Sequence, residues 1–452
     1  MNSRASARAF AGSFCRHHRC APTNEQFPFG TLTSTSTVAL YAARAHISMD
    51  TFLATIRSRL ESEPAANVIL VTGNESADLD SIISALTTSF FLSRLQANKN
   101  TIVVPFLNIP QADLALRSDV EYVLSANHIN RDQLFFRDQL PIFEQLLSKD
   151  QLLLFLVDHN KIAGTMSSLK DAKVVGVIDH HADENLYFDT ANPRRIEMVG
   201  SCTSLVADEF FKNAIAAIDE DEKETSNDNE KCPSWVQQVA RLLLGPILID
   251  TMNLNPAMKK VKPLDTAMAN LIFPYAHLES MEELYRRIDD ARKDTSRLSC
   301  YDLLRKDYKE WTVIQHPGNQ EVKVGISSVI GLMAKYVDRD GKESIHQAID
   351  QWAKNRTLDL CIVLLADDPG EEHGGYQRQV IVNPISSSVM DIPGQMEKIS
   401  DLQLERTTLV DTADLVSRGR RAYLQHNSTC TRKQVWPMVE KLLTQPAQTS
   451  NL

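Results

Sequence analysis

From residue 49 onward the chain alternates two kinds of apolar pattern. Short, nearly unbroken apolar runs stand at 67–73 (NVILVTG), 101–107 (TIVVPFL), 152–157 (LLLFLV) and 173–178 (KVVGVI). Segments with helical spacing lie at 51–60 and 79–95. A run with no polar face must be covered on both sides if it forms a strand. Such runs separated by helices predict a parallel sheet between helical layers, an α/β fold. GSCTSLVADEFFK (200–212) predicts a helix opened by a tight glycine turn, and 235–250 predicts an apolar helix ending in LLLGPILID. The acidic, low-complexity stretch 219–231 reads as a solvated loop without chemistry.

Past about residue 276 the pattern changes. Helices are expected at 280–292 and 301–311, strands at 321–329, 358–366 and 378–383, and a closing helix at 432–445. The change marks a second, smaller α/β domain, with a boundary near 270–290. We divide the chain into 1–48, 49–275 and 276–452.

Polar side chains gather where apolar segments end. Asn74, Asp78 and Asp80 follow the first run, Asp158 follows the third, Asp179, His180 and His181 follow the fourth, and Asp250 closes the apolar helix. In parallel sheets, ligand groups collect at the carboxyl ends of the strands. Each residue has an ordinary reading taken alone. Asn74 and Asp78 suit a turn and a helix N-cap, Asp158 suits a cap, Asp250 a helix end, and Asp-His-His a surface turn. Together they are better explained as a metal site. Asp78, Asp80, Asp158 and Asp250, converging without counter-ions, would repel and resist ionisation, and two divalent cations would offset their charge. Carboxylate, carboxamide and imidazole suit Mg²⁺, Mn²⁺ or Co²⁺ better than a thiolate-bound metal.

Composition narrows the classes. In 452 residues, 43% are hydrophobic and 23% charged, an ordinary globular balance. A net charge of −10 argues against a coat for nucleic acid or anionic lipid, yet it leaves room for a small basic funnel. No apolar run approaches the roughly 20 residues that span a bilayer. Seven scattered cysteines, with no C-x-x-C, suit a reducing compartment and a cytoplasmic protein.

Residues 1–48 differ from the rest. Arg4, Arg8, Arg16, Arg19 and Arg44 stand against one acid, Glu25. That composition suits a transit peptide, which would send the protein to mitochondria. A disordered tail and an extension upstream of a start at Met49 are the competing readings.

The ordered motifs N-x-x-x-D-x-D, VDHN, IDHH, GSCT and IDT resemble those of the DHH phosphoesterase superfamily. The downstream half resembles its DHHA2 branch, which holds family II inorganic pyrophosphatases, prune proteins and fungal-type cytosolic exopolyphosphatases. The resemblance covers roughly 49–445. It implies a parallel-sheet DHH domain, then a DHHA2 domain with a mixed sheet, and an active site in the cleft between them. It implies one cation at Asn74, Asp78 and Asp158, and a second at Asp80, Asp158, His180 and Asp250, with Asp158 shared. His181 would face phosphate, Asp179 would stand behind the ligands, and Gly200 to Thr203 would pack a helix start beneath the site. In the second domain the resemblance places Lys293, Arg432 and Lys433 on substrate, and Arg378 is a further phosphate candidate. Catalysis would rest on His181, Asp158 and Lys293.

Two departures matter. Thr431 stands where the family's motif has serine, a change that keeps the hydroxyl. Asn74 stands where family II pyrophosphatases carry histidine, and in having asparagine there the chain resembles exopolyphosphatases and prune proteins. The GNESADLDS, DLLRKDYKEW and RKQVWP stretches favour an exopolyphosphatase releasing terminal orthophosphate from inorganic polyphosphate by two-metal in-line hydrolysis, as a monomer. The rival readings are a pyrophosphatase, a prune-like enzyme for short-chain polyphosphate or cyclic nucleotides, and an oligonucleotide exonuclease. The last would carry a glycine-rich GGGH motif, and HGGY at 373–376 is not that motif.

Overall fold

The computed structural model describes residues 47–95, 98–225, 233–315, 319–368, 370–411 and 419–444. The basic extension expected at 1–48 thus lies almost wholly outside the described residues.

The first unit is built on six parallel strands: β1 (Asn67–Thr72), β2 (Thr101–Leu107), β3 (Phe135–Phe136), β4 (Leu152–Val157), β5 (Lys173–Asp179) and β6 (Arg194–Ile196). Their order is β3-β2-β1-β4-β5-β6. The apolar runs become strands because helices cover both faces of the sheet. Every residue of β2 is buried, as are five of six in β1. The helix Leu79–Leu95 is buried along almost its whole length. Its Phe90 and Phe91 pack with Trp235 of the helix Ser234–Asp250 at ring separations of 5.6 and 6.4 Å. At Gly176 of β5 a methyl group would lie 2.1 Å from the Phe155 ring, so only glycine lets that ring cross to the neighbouring strand.

The second unit has a mixed sheet of β7 (Tyr308–Gln315), β8 (Gln320–Ile330), β9 (Leu360–Asp367), β10 (Gln377–Pro384), β11 (Leu404–Thr407) and β12 (Arg421–Gln425). The order is β11-β12-β10-β9-β8-β7, and only the β8–β9 pair is parallel. The helix Met281–Lys293 buries Ile288 in the core of the first unit, whereas Leu298 joins that of the second. By packing, the helix Met281–Lys293 goes with the first unit, while Leu116 of the first unit reaches into the core of the second.

Three expected elements differ. The helix expected at 301–311 ends at Lys306, and β7 begins at Tyr308. YKEWTVIQ alternates, its antiparallel partner β8 completes its hydrogen bonds, and Trp311 stacks on Trp436 at 4.3 Å. The stretch 219–231 is not all loop, because a helix runs through Lys212–Thr225. The helix after Gly200 is interrupted, with a wider π turn at Ala207–Phe211. No described helix is long and apolar enough to cross a membrane.

Candidate metal centre

Strand order fixes the place of the site. Chain direction around the sheet reverses between β1 and β4, whose neighbours lie on opposite sides. Loops leaving two such strands part from each other and open a crevice at the carboxyl edge. Asn74, Asp78 and Asp80 leave β1 at this crevice, Asp158 leaves β4, and Asp179, His180 and His181 leave the next strand.

The loop after β1 is tight. A methyl group on Gly73 would meet Ser81 Oγ at 2.6 Å, and that hydroxyl accepts from the Asn74 N–H at 2.9 Å. Asn74 Oδ1 accepts from the Ser76 N–H and Oγ at 2.9 and 2.6 Å, an Asx turn. Asn74 Nδ2 donates to Asp158 Oδ2 at 2.8 Å. Both ends of this carboxamide are therefore engaged by protein.

Asp158 is 2% exposed and adopts a left-handed backbone, φ 60°. Its Oδ1 lies 3.1 Å from His180 Nε2 and 3.6 Å from His181 Nδ1, but no donor is aligned for a hydrogen bond to it. Among the described residues, Asp158, His180 and His181 form the one group of three His, Cys, Asp or Glu residues with converging ligand atoms, all within 4.8 Å of one another. Asp80 reaches His180 at 3.8 Å. Its two oxygens accept from Ser201 Oγ and from the Cys202 and Thr203 N–H groups at 2.7, 2.6 and 2.9 Å. The glycine turn thus packs a helix start beneath the acids.

Asp179 is fully buried and orients the histidines. It accepts the His180 and His181 N–H groups at 2.8 and 3.2 Å, takes His181 Nδ1 at 2.9 Å, and is held from behind by Asn160 Nδ2 at 2.5 Å. His180 Nδ1 is 3.1 Å from the Val199 carbonyl, which turns Nε2 toward Asp158.

Electrostatics test whether these residues suit cations. Burial, then the nearby Asp80, pushes the Asp78 carboxyl up. Burial lifts Asp158 to about 7, although His180 pulls it back down. Burial, with Asp80 and Asp78, raises Asp250 well above the carboxylate range. His180 is held near 10, because Asp158 and Asp80 outweigh the burial that would lower it. Asp250 Oδ2, like Asp158 Oδ1, is buried with no hydrogen-bond partner. Buried acceptors normally find donors, and unmatched ones call for an explanation. Unmatched carboxylate oxygens among mutually repelling acids suit divalent cations. The donor set fits.

The basic residues of the second unit fall into two groups. Arg378, Arg432 and Lys433 line a cavity of about 340 Å³ together with Lys306, Asp307, Thr295 and Ser328. Arg432 donates to the Asp307 carbonyl and carboxylate at 3.0 and 2.7 Å, and Arg378 donates to the Ser428 carbonyl at 2.7 Å. Lys293 is not in this cavity. It pairs with Asp289 one turn back, at 2.7 Å, and its side chain is 60% exposed.

Sequence reading overlooked four residues here. Lys306 lines the cavity beside Lys433, and Arg117 ties it to the loop before Asp78. Asp265 is wholly buried and accepts from the Gly200 N–H and Ser204 Oγ at 2.8 and 2.6 Å, so it holds the turn that holds Asp80. No local pattern marks Arg117 or Asp265, whereas Lys306 lies within the stretch DLLRKDYKEW. Asn160 was available as the last letter of VDHN.

Comparison with known proteins also divides the chain in two, the second part beginning within the helix Met281–Lys293. Residues 68–244 match the DHH family, N-terminal domain, and residues 286–442 match the DHHA2 domain. The chain is 30% identical over 395 residues to a Schizosaccharomyces pombe protein named "Putative exopolyphosphatase", covering 86% of this chain and 94% of that one. It is 28% identical over 399 residues to rat "Exopolyphosphatase PRUNE1", covering 88% and 79%. It is 26% identical over 303 residues to a "Manganese-dependent inorganic pyrophosphatase" of Methanocaldococcus jannaschii, covering 66% and 82%.

Proposed function

This chain belongs to the family of DHH proteins with a DHHA2 domain, and from that premise we propose that it is a metal-dependent exopolyphosphatase, releasing orthophosphate from the ends of inorganic polyphosphate. One observation carries the reading: two buried carboxylate oxygens, of Asp158 and Asp250, lack hydrogen-bond partners at a crevice that also presents His180 and His181.

Asn74, Asp78, Asp80, Asp158, His180 and Asp250 would hold two divalent cations, Mg²⁺ or Mn²⁺. Bound there, the cations would neutralise phosphate charge and lower the pKa of an attacking water. The protein's own residues do the rest. Asp158 presents one oxygen while Asn74 fixes the other. Asp179 fixes His181 through Nδ1 and leaves its Nε2 for a phosphate oxygen or a departing one. That imidazole is pushed toward its protonated form by Asp179, the form that donates. Arg432, Lys433, Lys306 and Arg378 neutralise the phosphates behind the reacting one, the guanidinium of Arg432 through a planar fork. Phosphoryl transfer demands mostly positioning and charge neutralisation, which is what these groups supply.

A substrate panel tests the reading. Pyrophosphate, tripolyphosphate, long-chain polyphosphate, cyclic AMP and a short oligonucleotide are each supplied with Mg²⁺ or Mn²⁺. Orthophosphate released from the longer chains, with pyrophosphate spared, is the expected pattern. Cleavage of pyrophosphate alone, or of the oligonucleotide, would overturn it.

A further inference from the structure

Arg117 stands between the two units and touches both. Its Nη2 donates to the Ser76 carbonyl at 2.6 Å and its Nε to the Ala77 carbonyl at 3.3 Å. Its Nη1 donates to the Lys306 carbonyl at 3.2 Å. Ser76 and Ala77 form the loop directly before Asp78. Ala77 holds φ 43°, a left-handed conformation disfavoured for a residue with a side chain. Two hydrogen bonds from a single guanidinium pin the loop at that strained point.

On the far side, Lys306 and the adjoining Asp307 line the basic cavity, and Asp307 holds Arg432 through two hydrogen bonds. A short physical path therefore runs from Asp78, through Arg117, to Lys306 and Arg432. All three acceptors of Arg117 are main-chain carbonyls. Its task is thus geometric, and its fork of fixed donors suits it. Neighbouring residues anchor the same segment. Asp113 pairs with Arg305, Ser118 Oγ donates to the Asp294 carbonyl at 3.4 Å, and Leu116 packs in the core of the second unit.

We propose that Arg117 is a positioning residue that sets the aim of Asp78 in the metal centre and the placement of the phosphate cavity against it, so that one side chain tunes both cation and substrate affinity. The inference rests on the function proposed above for the same site.

The test reads two constants on the full chain. Mn²⁺ binding is titrated without substrate by electron paramagnetic resonance of the free ion, and KM and kcat are measured on tripolyphosphate. In Arg117→Ala the Mn²⁺ Kd rises about tenfold, as for loss of a partner that orients a ligand, and KM rises with it. Asp113→Asn breaks the neighbouring Arg305 pair without touching Ser76 or Ala77, and leaves the Mn²⁺ Kd at the parent value. Should Arg117→Ala not fold, Arg117→Lys, which keeps the charge and loses the fork, carries the same comparison. A variant whose kcat falls while both Kd and KM stay at parent values has lost only active fraction, and that result overturns the proposal, as does movement of one constant alone. A parent enzyme that binds Mn²⁺ but releases no orthophosphate would instead sink the proposed function.

Discussion

Asn74 donates from Nδ2 to Asp158 Oδ2 at 2.8 Å, joining the ends of β1 and β4 across 84 positions of sequence. The bond occupies one Asp158 oxygen and leaves the other, buried and with no donor aligned on it, 3.1 Å from His180 Nε2. A buried carboxylate beside Asp78 and Asp80 is held at a cost to the fold. Asp158→Asn removes the charge and keeps the shape. Orthophosphate release should fall at least about 100-fold, the upper range for disturbing a metal site through its supporting groups. The metal-free variant should melt above the parent, a combination that calorimetry and a phosphate assay read together. A variant that is both active and no more stable contradicts the assignment.

Asn74 should matter less than Asp158, because its carboxamide is already spent on Ser76 and Asp158. Asn74→Ala removes the Asx turn and the Asp158 bond together. Mn²⁺ affinity should weaken by roughly 10- to 100-fold, with activity regained at high metal concentration. Activity that stays lost at saturating Mn²⁺ would instead make Asn74 an indispensable ligand.

Arg432 is aimed into the cavity by two bonds to Asp307. Lysine keeps the charge but can supply no planar pair of donors. Arg432→Lys should raise KM for tripolyphosphate about tenfold, a loss near 1.4 kcal/mol, while Mn²⁺ binding without substrate stays unchanged. Steady-state kinetics beside a metal titration separate the two.

His346 supplies a pH effect remote from the metal centre. It is buried, its Nε2 lies 2.6 Å from the Val410 carbonyl, and Arg420 donates to its Nδ1 at 2.7 Å. Burial, and then the Arg420 charge, hold its pKa below the ordinary 6.5, although the Val410 bond pulls the other way. Asp350 and Glu343 also face it and favour the charged form, without reversing the direction. Below pH 6.5 the unfolded histidine takes a proton that the folded one refuses. Its share of stability is therefore complete above 6.5 and is lost as pH falls toward the lower folded value. The slope is at most about 1.4 kcal/mol per pH unit. Urea unfolding at pH 7.5 and 5.5 should show a smaller acid loss in His346→Gln than in the parent. Equal losses would place the acid sensitivity elsewhere.

Much of the first unit was legible because its information is local. The runs at 101–107 and 152–157 are β2 and β4 to the residue, and the helix at 79–95 has its expected ends. An apolar stretch that must be covered on both faces, ended by polar groups, says where a strand stops and which side chains emerge at its edge. The second unit was less legible. The helices Met333–Asp340 and Lys342–Arg356 went unread, because both are mostly polar and acquire their apolar contacts from the sheet and from neighbouring helices that only the tertiary fold brings to them.

By itself, then, the sequence determined a parallel α/β unit and the acids and histidines that stand at its strand ends, since period and strand end are properties of neighbours in the chain. Tertiary structure decided which groups support them. Asp265 cradles a turn 65 positions away, Arg117 reaches Lys306 across 189, and Lys293 turns aside to Asp289 while Lys306 enters the cavity. The Arg117 contact depends on how two separately packed units meet and the Asp265 contact on how one unit closes on itself, and no short stretch of residues encodes either.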